Sequence, residues 1–395
     1  MSKELPYQPL SVSVGDYRRA VENKEAHSLI GPNNVILQVN YSCYLHCIMC
    51  DRYKWTEQGA PVEETLTGRE LTGLFNQFGA LKTGKITLVG TEPVLRPDLP
   101  QILTDIKQQG IKPEMYTAGI ILKDEVIGSI LENSGDAAFS VDGFYPVSHN
   151  LIRMPDKVFD AFSRTLSSIQ HLRSDREKQG LTENQSRISA NFTIQAGNIE
   201  DLATAGPKEI DALGVDTLRL SIVHGQGAYV LDRTAIPIIT GFVTRLRSVA
   251  QLKTEVSLSS GIIYLLQGKI ASEDFDKNVL VPSDTLKGKE KIRCHIHEFS
   301  TMIDPQGNVR PCLYLYDDNG PYNSSDRDQF IMGNIKKQDF ASIWNGDEYT
   351  AFRKAYEYPN LRSGSRCRTC EYTDHFAELD QAVNGHESIP VQIGW

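Results

Sequence analysis

Seven cysteines fall into two groups, and their spacing is the feature of this sequence best suited to chemistry. The first group is Cys43, Cys47 and Cys50, spaced C-x3-C-x2-C directly after an apolar run that is typical of a buried strand. Three thiolates on one short loop can bind three corners of a [4Fe–4S] cluster and leave the fourth iron open. The alternative is a zinc site, or thiols that only pack, although structural zinc sites use four ligands.

The second group is Cys294, Cys312, Cys367 and Cys370. A turn-forming segment that includes Gly307 predicts a hairpin, which would bring Cys312 back towards Cys294. Four cysteines form a closed tetrahedral set that zinc or a [4Fe–4S] cluster could occupy. An odd number of cysteines with no secretory signal does not indicate a disulfide framework. Both groups therefore point to metal or redox chemistry.

The elements that must position the first group alternate between strand and helix. Repeated β-helix-β units predict parallel strands with right-handed crossovers, and therefore an α/β fold. Chemistry in such sheets takes place at the carboxyl ends of the strands. We predict strands over residues 35–39, 85–89, 113–117, 136–141, 187–194 and 217–223, and helices over residues 69–81, 99–109, 124–133, 159–173 and 199–213.

Outside this region the pattern is different. We predict a helix over residues 17–27, a helix over residues 236–252, hairpin strands over residues 300–303 and 308–313, and short helices over residues 339–344 and 348–356.

Composition excludes several classes of protein. The 395 residues are 40% hydrophobic and 23% charged, which excludes a wholly disordered or collagen-like chain. The net charge of −9 does not suggest general binding of nucleic acid. No apolar run approaches the roughly 18 residues of a membrane span, and the first residues lack the pattern of a secretory signal. We expect a cytoplasmic protein with neither membrane nor nucleic acid as a partner.

In the spacing of Cys43, Cys47 and Cys50, the chain resembles the radical S-adenosylmethionine (radical SAM) superfamily. That family carries C-x3-C-x-φ-C, where φ is apolar, after the first strand of a partial (β/α)6 TIM-type barrel, and the six predicted strands agree. The resemblance covers about residues 35–225. It implies a [4Fe–4S] cluster that binds SAM at its open iron and generates a 5′-deoxyadenosyl radical, which takes a hydrogen atom from the substrate. A flavodoxin or ferredoxin would donate the electron.

The resemblance also assigns roles to individual residues. Gly90-Thr91-Glu92-Pro93 matches the Gly-Gly-Glu-Pro segment that holds the SAM amino group, although Thr91 replaces the second glycine. Arg153 is a candidate catalytic residue that would position a substrate hydroxyl; the alternative is a solvated surface arginine. Asn191 and Gln195 would contact SAM or substrate, or would simply line the barrel. The full set of cofactor-binding residues predicted in this way is Met49, Gly90, Thr91, Glu92, Pro93, Ser140, Asn191 and Gln195.

The second cysteine group resembles the twitch domain, a shorter relative of the SPASM domain. In radical SAM enzymes that module binds an auxiliary [4Fe–4S] cluster, here with Cys294, Cys312, Cys367 and Cys370 as ligands. The expected domains are an N-terminal extension (1–34), the radical SAM partial barrel (35–225), a helical connector (226–293), the twitch domain (294–372) and a C-terminal tail (373–395).

Two clusters would use all seven cysteines, so no thiol is left to return a hydrogen atom to the substrate. This favours net oxidation, with the auxiliary cluster accepting an electron. Only residues 1–34 precede the first strand, so a fused peptide-recognition domain is not expected, which favours a small substrate. We therefore expect a dehydrogenase of a sugar, an aminocyclitol or a similar metabolite. The alternatives are a radical SAM peptide or protein maturase, a redox-neutral carbohydrate epimerase or lyase, and a non-catalytic iron–sulfur or zinc scaffold.

Overall fold

The computed structural model describes residues 10–12, 31–50, 65–154, 159–223, 229–248, 252–276, 280, 296–312, 330–355 and 391–393. Ten of its strands form one sheet in the order β11-β10-β9-β2-β3-β4-β5-β6-β7-β8, and β1 pairs with β12 separately. The strands are β1 Leu10–Val12, β2 Asn34–Gln38, β3 Lys85–Val89, β4 Lys112–Thr117, β5 Asp136–Ser140, β6 Ile188–Ile194, β7 Thr217–Ile222, β8 Glu255–Leu258, β9 Ser300–Ile303, β10 Asn308–Arg310, β11 Gly333–Asn334 and β12 Val391–Ile393.

Helices connect the successive strands β2 to β8, which are all parallel to one another. The connecting helices are α1 Gly68–Ala80, α2 Leu99–Gln108, α3 Asp124–Glu132, α4 Pro146–Arg153, α5 Ala161–Lys178, α6 Ile199–Thr204, α7 Pro207–Ala212 and α8 Ile236–Arg247. After β8 come α9 Ser260–Leu266, α10 Ser272–Phe275, α11 Ile296–Phe299, α12 Phe340–Trp344 and α13 Asp347–Ala355. The partial TIM-type barrel predicted from the sequence is confirmed, and β2 to β7 are its six predicted strands.

Three details differ from the predictions. The single helix predicted over residues 199–213 is two helices, α6 and α7, because Pro207 can begin a helix but cannot continue one. The sequence did not predict helix α4 or strand β8. The helix predicted over residues 17–27 lies outside the described residues, as do Cys294, Cys367 and Cys370.

The two faces of the sheet differ in chemistry. The outer face is apolar: Leu88, Phe139 and Phe192 are fully buried in the main core, which the helices cover. The inner face carries polar side chains such as Thr87 and Ser189, which alternate with the apolar residues along each strand. The sheet therefore has an apolar outer face, which packs against the helices, and a polar inner face.

An ion pair shows that the sheet curves. Arg219 on β7 lies 3.3 Å from Glu114 on β4, although two further strands separate β4 and β7 in the sheet. Neighbouring strands in a flat sheet are about 4.8 Å apart, so three steps would exceed this contact distance several times over. The polar face is therefore the lumen of a barrel.

The C-terminal region continues the same sheet. Strand β9 pairs in parallel with β2 and continues the sheet towards β10 and β11. The β9–β10 hairpin turns at Gly307, whose φ of +89° suits glycine. The backbone N–H of Leu66 donates to the carbonyl of Pro305 at 2.7 Å. The rings of Phe78 on α1 and Phe340 on α12 meet edge to face with centroids 4.8 Å apart. This region is thus attached both by strand pairing and by an apolar contact.

Among the described helices, none has the length and apolar character needed to cross a membrane.

Candidate functional site

The site lies at the carboxyl edge of the parallel strands. The first cysteine group follows β2, and the Gly90–Pro93 segment follows β3. Ala118 comes after β4, Asp142 after β5 and Gln195 after β6. Parallel pairing brings all these strand ends to one edge, which is the edge where ligands bind in this class of fold.

The cysteine loop is held against helix α4. The backbone N–H groups of His46 and Ile48 donate to the carbonyls of Met154 and Ile152, each at 3.0 Å. Met154 ends the helix in the left-handed conformation, with φ of +39°. The loop therefore takes its position from a helix about one hundred residues further along the chain.

The three thiols of this loop form no disulfide. Cys47 is buried, whereas Cys43 and Cys50 are half-buried and pack, as Met49 does, against a small apolar cluster that includes Ala118. Burial raises the pKa of Cys43 to about 12 and that of Cys47 to about 11. The Cys43 and Cys47 thiols are therefore protonated until a metal centre displaces the protons and binds them as thiolates.

Arg153 joins the cysteine loop to the end of β5. Its Nη1 lies 3.7 Å from the Sγ of Cys47, and its Nη2 forms an ion pair with Asp142, which is fully buried. Asp142 also accepts a hydrogen bond from the backbone N–H of Thr193 at 2.9 Å. The contacts with Cys47 and Asp142 hold Arg153, with only 12% of its side chain exposed, beside the Cys47 thiol. It is not a solvated surface arginine.

The Gly90–Pro93 segment contacts the residues just before Cys43. Gly90 has φ of +150°, and a Cβ there would lie 3.2 Å from both the backbone and the side-chain oxygen of Asn40. The Thr91 hydroxyl lies 3.0 Å from the Oδ1 of Asn40 and also donates to the carbonyl of Ser42. Threonine in place of the family's second glycine thus links two loops of the site.

Glu92 turns its carboxylate into the protein. It is 1% exposed, and it accepts hydrogen bonds from the Thr117 hydroxyl at 2.7 Å and the Ala118 N–H at 2.9 Å. Burial raises its pKa, while these hydrogen bonds oppose the rise. The Glu92 side chain therefore braces the segment against the end of β4, which leaves backbone groups of the segment to face a ligand.

Ser140 and Asn191 occupy one level of the barrel lumen. They are register partners on β5 and β6, and both are half-buried. Gln195, just beyond β6, is fully buried, yet neither its Oε1 nor its Nε2 has a hydrogen-bond partner among the residues that the structure describes. Buried polar atoms are almost always hydrogen-bonded in folded proteins. The Gln195 amide is therefore suited to form hydrogen bonds with a polar ligand that binds at this edge of the barrel. Gly197 lies next to Ile152 and Ile48, which places the same loop beside the cysteine loop.

These features fit a cluster with SAM better than a single metal ion. Within the described residues, no group of three His, Cys, Asp or Glu side chains is arranged to hold one ion. A [4Fe–4S] cluster does not need three side chains that meet at one point, because each thiolate binds a different iron of the cluster. The three thiols would hold the cluster, and Gln195 and the Gly90–Pro93 backbone would meet the SAM bound to it.

Sequence reasoning missed three residues that shape this site. Asn40 positions the Gly90–Pro93 segment, and Asp142 holds Arg153. His149 lies 1% exposed on α4, and its Nδ1 accepts the backbone N–H of Asp142 at 3.3 Å. Burial, followed by the charge of Arg153, lowers the pKa of His149 to about 3, so the ring is neutral. Of these three residues, Asp142 alone had a sequence signal, because it stands two residues after the predicted cofactor-binding residue Ser140.

Of the second cysteine group, only Cys312 is among the described residues. It is half-buried against the main core, directly after β10. Nearby, the guanidinium of Arg353 lies 4.1 Å from the Trp344 ring centroid and 4.2 Å from that of Tyr349. Its Nη1 donates to the carbonyl of Trp344 at 2.7 Å. These contacts fasten α13 to α12.

Comparison with known families gives this C-terminal region an identity. Residues 294–371 match the SPASM family, described as an iron–sulfur cluster-binding domain. The matched range contains all four cysteines of the second group.

Curated relatives are distant and span most of the chain. The chain is 22% identical over 346 residues to a tungsten-containing aldehyde ferredoxin oxidoreductase cofactor-modifying protein of Pyrococcus furiosus, covering 85% of this chain and 88% of the relative. It is 22% identical over 347 residues to an AdoMet-dependent heme synthase of Methanosarcina barkeri, covering 86% and 89%. It is 21% identical over 286 residues to a PqqA peptide cyclase of Streptomyces rochei, covering 72% and 70%.

Solved structures share the fold. Streptococcus suis SuiB bound to S-adenosylmethionine superposes with a TM-score of 0.60 at 13% identity, covering 96% of this chain and 80% of SuiB. SuiB bound to its precursor peptide SuiA gives a TM-score of 0.59 at 12% identity, with coverage of 96% and 79%. Together with the cysteine loop at the barrel edge, these findings identify the chain as a radical SAM enzyme with a C-terminal SPASM-type domain, which uses a SAM-binding [4Fe–4S] cluster and an auxiliary cluster.

Proposed function

We propose that this enzyme modifies a peptide or protein. Cys43, Cys47 and Cys50 hold the SAM-binding cluster, and Cys294, Cys312, Cys367 and Cys370 hold the auxiliary cluster. When bound, SAM and the first cluster supply the radical that removes a hydrogen atom from the substrate. Arg153 stays paired with Asp142 beside that cluster and orients the group being oxidised.

An apolar rim around the site is the observation that carries the choice of substrate. Every large hydrophobic side chain that is exposed in the described part of the chain follows β3, β4 or β5, at the carboxyl edge. This apolar rim consists of Leu95, Ile121, Tyr145, Val147, Leu151 and Met154.

The apolar rim is continuous with the cysteine loop. Val147 and Leu151 are 81% and 61% exposed, and they are four residues apart on α4, so they share one face. Met154, at the end of the same helix, binds His46 through its backbone. Exposed apolar patches of this kind mark sites of macromolecular contact. They suit the side chains of a peptide, whereas a sugar or an aminocyclitol presents hydroxyl groups.

The relatives favour the same choice over the expected sugar dehydrogenase. Their names concern the cyclisation of a peptide, heme synthesis and the modification of a cofactor, and SuiB binds a precursor peptide. The expectation of a small substrate rested on the short segment, residues 1–34, that precedes the first predicted strand. The length of that segment does not distinguish a peptide from a sugar as substrate. The maturase alternative is therefore the better supported interpretation.

We also propose that the reaction is a net oxidation. With all seven cysteines assigned to clusters, no thiol remains to return a hydrogen atom. The product should be two electrons more oxidised than the substrate, and product made in deuterated water should carry no solvent deuterium at the attacked carbon. Mass spectrometry measures both properties, and one solvent deuterium in a product of unchanged formula would contradict the oxidation.

The substrate class is tested by the anaerobic formation of 5′-deoxyadenosine. Candidate precursor peptides should stimulate SAM cleavage by the reconstituted enzyme, and a panel of sugars and aminocyclitols should not. Stimulation by a sugar alone would overturn the proposal.

The apolar rim is tested by the double variant Val147→Ser/Leu151→Ser. We expect the KM for the peptide to rise about tenfold or more, because burying each such side chain is worth about 1.5–3 kcal/mol. Substrate-independent SAM cleavage should stay at the wild-type rate. The matched control Val147→Leu/Leu151→Met keeps the rim apolar and should keep the wild-type KM.

A further inference from the structure

A charged cluster lies inside the barrel, below the strand ends. Glu114 on β4 accepts a hydrogen bond from the Lys85 ammonium at 2.7 Å and one from the Thr87 hydroxyl at 3.1 Å, both through Oε2. Arg219 on β7 reaches the other oxygen, Oε1, at 3.3 and 3.4 Å. Burial raises the pKa of Glu114, but Lys85 and Arg219 outweigh burial and bring it to about 2. The carboxylate is therefore ionised and shared by two cations.

The charges in this cluster do not cancel. The neighbouring pair of Lys112 and Asp136, 2.9 Å apart, is neutral by itself. Among the residues that the structure describes, Lys85 and Arg219 together face the single negative charge of Glu114, which leaves one positive charge without a carboxylate of its own. Lys85 lies 2.7 Å from Glu114 and Arg219 lies 3.3 Å from it, so Arg219 is the less tightly paired of the two cations.

The guanidinium of Arg219 also has unused donors. A guanidinium offers five N–H groups. Its Nη1 donates to the Tyr116 hydroxyl at 3.0 Å and to Glu114, and its Nη2 donates to Glu114. Its Nε–H makes no hydrogen bond with any described residue. One quarter of the side chain is exposed, at a mid-strand position on the inner face.

This arginine lies at the level of the predicted ligand-binding residues. Asn191 pairs in register with Ser140 on one side and with Arg219 on the other. The three side chains therefore form one row across β5, β6 and β7, on the lumen face. A bridge that served only to close the barrel would use a fully paired arginine, because an unpaired interior charge is costly.

We propose that Arg219 binds a carboxylate of the substrate, from an acidic side chain or from a C-terminus. This assignment rests on the peptide substrate proposed above. A carboxylate can accept two parallel hydrogen bonds from one guanidinium, which gives orientation as well as affinity. Arg219 then fixes the substrate from within the barrel, while the apolar rim holds it at the mouth.

Trifluoroacetate is a suitable probe because ¹⁹F NMR follows its binding directly. The titration uses the anaerobically reconstituted holoenzyme saturated with SAM, so that the carboxylate site of SAM is already filled. Wild type should bind trifluoroacetate saturably. Arg219→Gln should weaken binding about tenfold or more, as expected for loss of a charge-assisted pair. The matched control Arg173→Gln, on the exposed face of α5, should bind as wild type does.

A second variant keeps the test independent of misfolding. Glu114→Gln removes the competing carboxylate and should tighten trifluoroacetate binding several-fold, a gain that an unfolded protein cannot produce. Binding that is unchanged in both variants would overturn the assignment. So would loss of SAM binding in Arg219→Gln, which would make Arg219 a cofactor residue.

Competition identifies the source of the carboxylate. N-acetyl-glutamic acid α-amide carries a side-chain carboxylate, and N-acetyl-alanine carries a C-terminal one. Displacement of trifluoroacetate by either compound supports the assignment, whereas displacement by sulfate alone contradicts it. These readouts do not use turnover, so they can fail while peptide-stimulated SAM cleavage succeeds, or succeed while it fails.

Discussion

Thr91 shows how one residue adapts a shared motif. Thr91 stands where the radical SAM family has glycine. The Thr91 hydroxyl contacts Asn40 and Ser42 in the loop that leads to Cys43. The backbone geometry that requires glycine belongs to Gly90, where φ is +150°. Thr91 is therefore a latch, a hydrogen-bonding link between the cysteine loop and the Gly90–Pro93 segment.

Thr91→Val tests this latch, because valine has the shape of threonine without the hydroxyl. Leaving the Ser42 carbonyl without its donor should cost about 1–3 kcal/mol and loosen the cysteine loop. We expect the variant to lose iron to a chelator faster than wild type under anaerobic conditions. Thr91→Ser keeps the hydroxyl and should behave as wild type; equal iron loss in all three proteins would rule out the latch.

His149 should make stability depend on pH. The pKa of His149 in the folded protein is about 3, below the ordinary value near 6.5. Its contribution to the free energy of unfolding is therefore complete above pH 6.5 and is lost as the pH falls towards 3. Between pH 7.5 and 5.5 the free energy of unfolding should fall by about 1.4 kcal/mol because of this residue. His149→Gln, which keeps a neutral acceptor for Asp142, should show a smaller drop in thermal midpoint over this range. An equal drop in both proteins would contradict a neutral buried ring.

Sequence reasoning found the residues whose type and spacing are themselves a signal. The three cysteines and Gly90–Pro93 belong to that class. Asn40, His149 and Arg219 do not, because each acts through partners far away in the chain, and only the folded barrel brings them together.

At the scale of elements, apolar β-type runs predicted all six central strands. Strand β8 was missed because it is four residues long within a charged stretch. The pairing of β9 with β2 could not be predicted either, because register between distant segments leaves no local pattern. The contact between Glu114 on β4 and Arg219 on β7 could not be predicted for the same reason, because two further strands separate β4 and β7 in the sheet.

Phe340 tests how firmly the C-terminal elements are attached. It is fully buried, meets Phe78 of α1 and stacks on Trp344. Phe340→Ala should cost about 3–5 kcal/mol, the usual range for a buried phenylalanine. A lowered thermal midpoint of the holoprotein is the expected result, with Phe340→Leu closer to wild type. An unchanged midpoint in Phe340→Ala would mean that α1 and α12 do not support each other.

At the scale of the whole molecule, one sheet serves both cysteine groups. Strand β2 leads into the first group, and its neighbour β9 leads through a hairpin to Cys312. The domain division proposed from the sequence thus crosses a continuous sheet. The barrel has a polar lumen that contains the Arg219 cation, and its carboxyl edge carries the apolar rim and the cysteine loop, an arrangement that suits the peptide modification proposed above.

We propose that the cluster bound by the first cysteine group is alone responsible for the cleavage of SAM. The most direct measurement compares iron content and 5′-deoxyadenosine formation in wild type and in the triple variant Cys43→Ala/Cys47→Ala/Cys50→Ala. Two [4Fe–4S] clusters give about eight irons per chain, and the variant should retain about four, in the auxiliary cluster. It should form no 5′-deoxyadenosine with dithionite as reductant. SAM cleavage that persists in the triple variant would contradict the account.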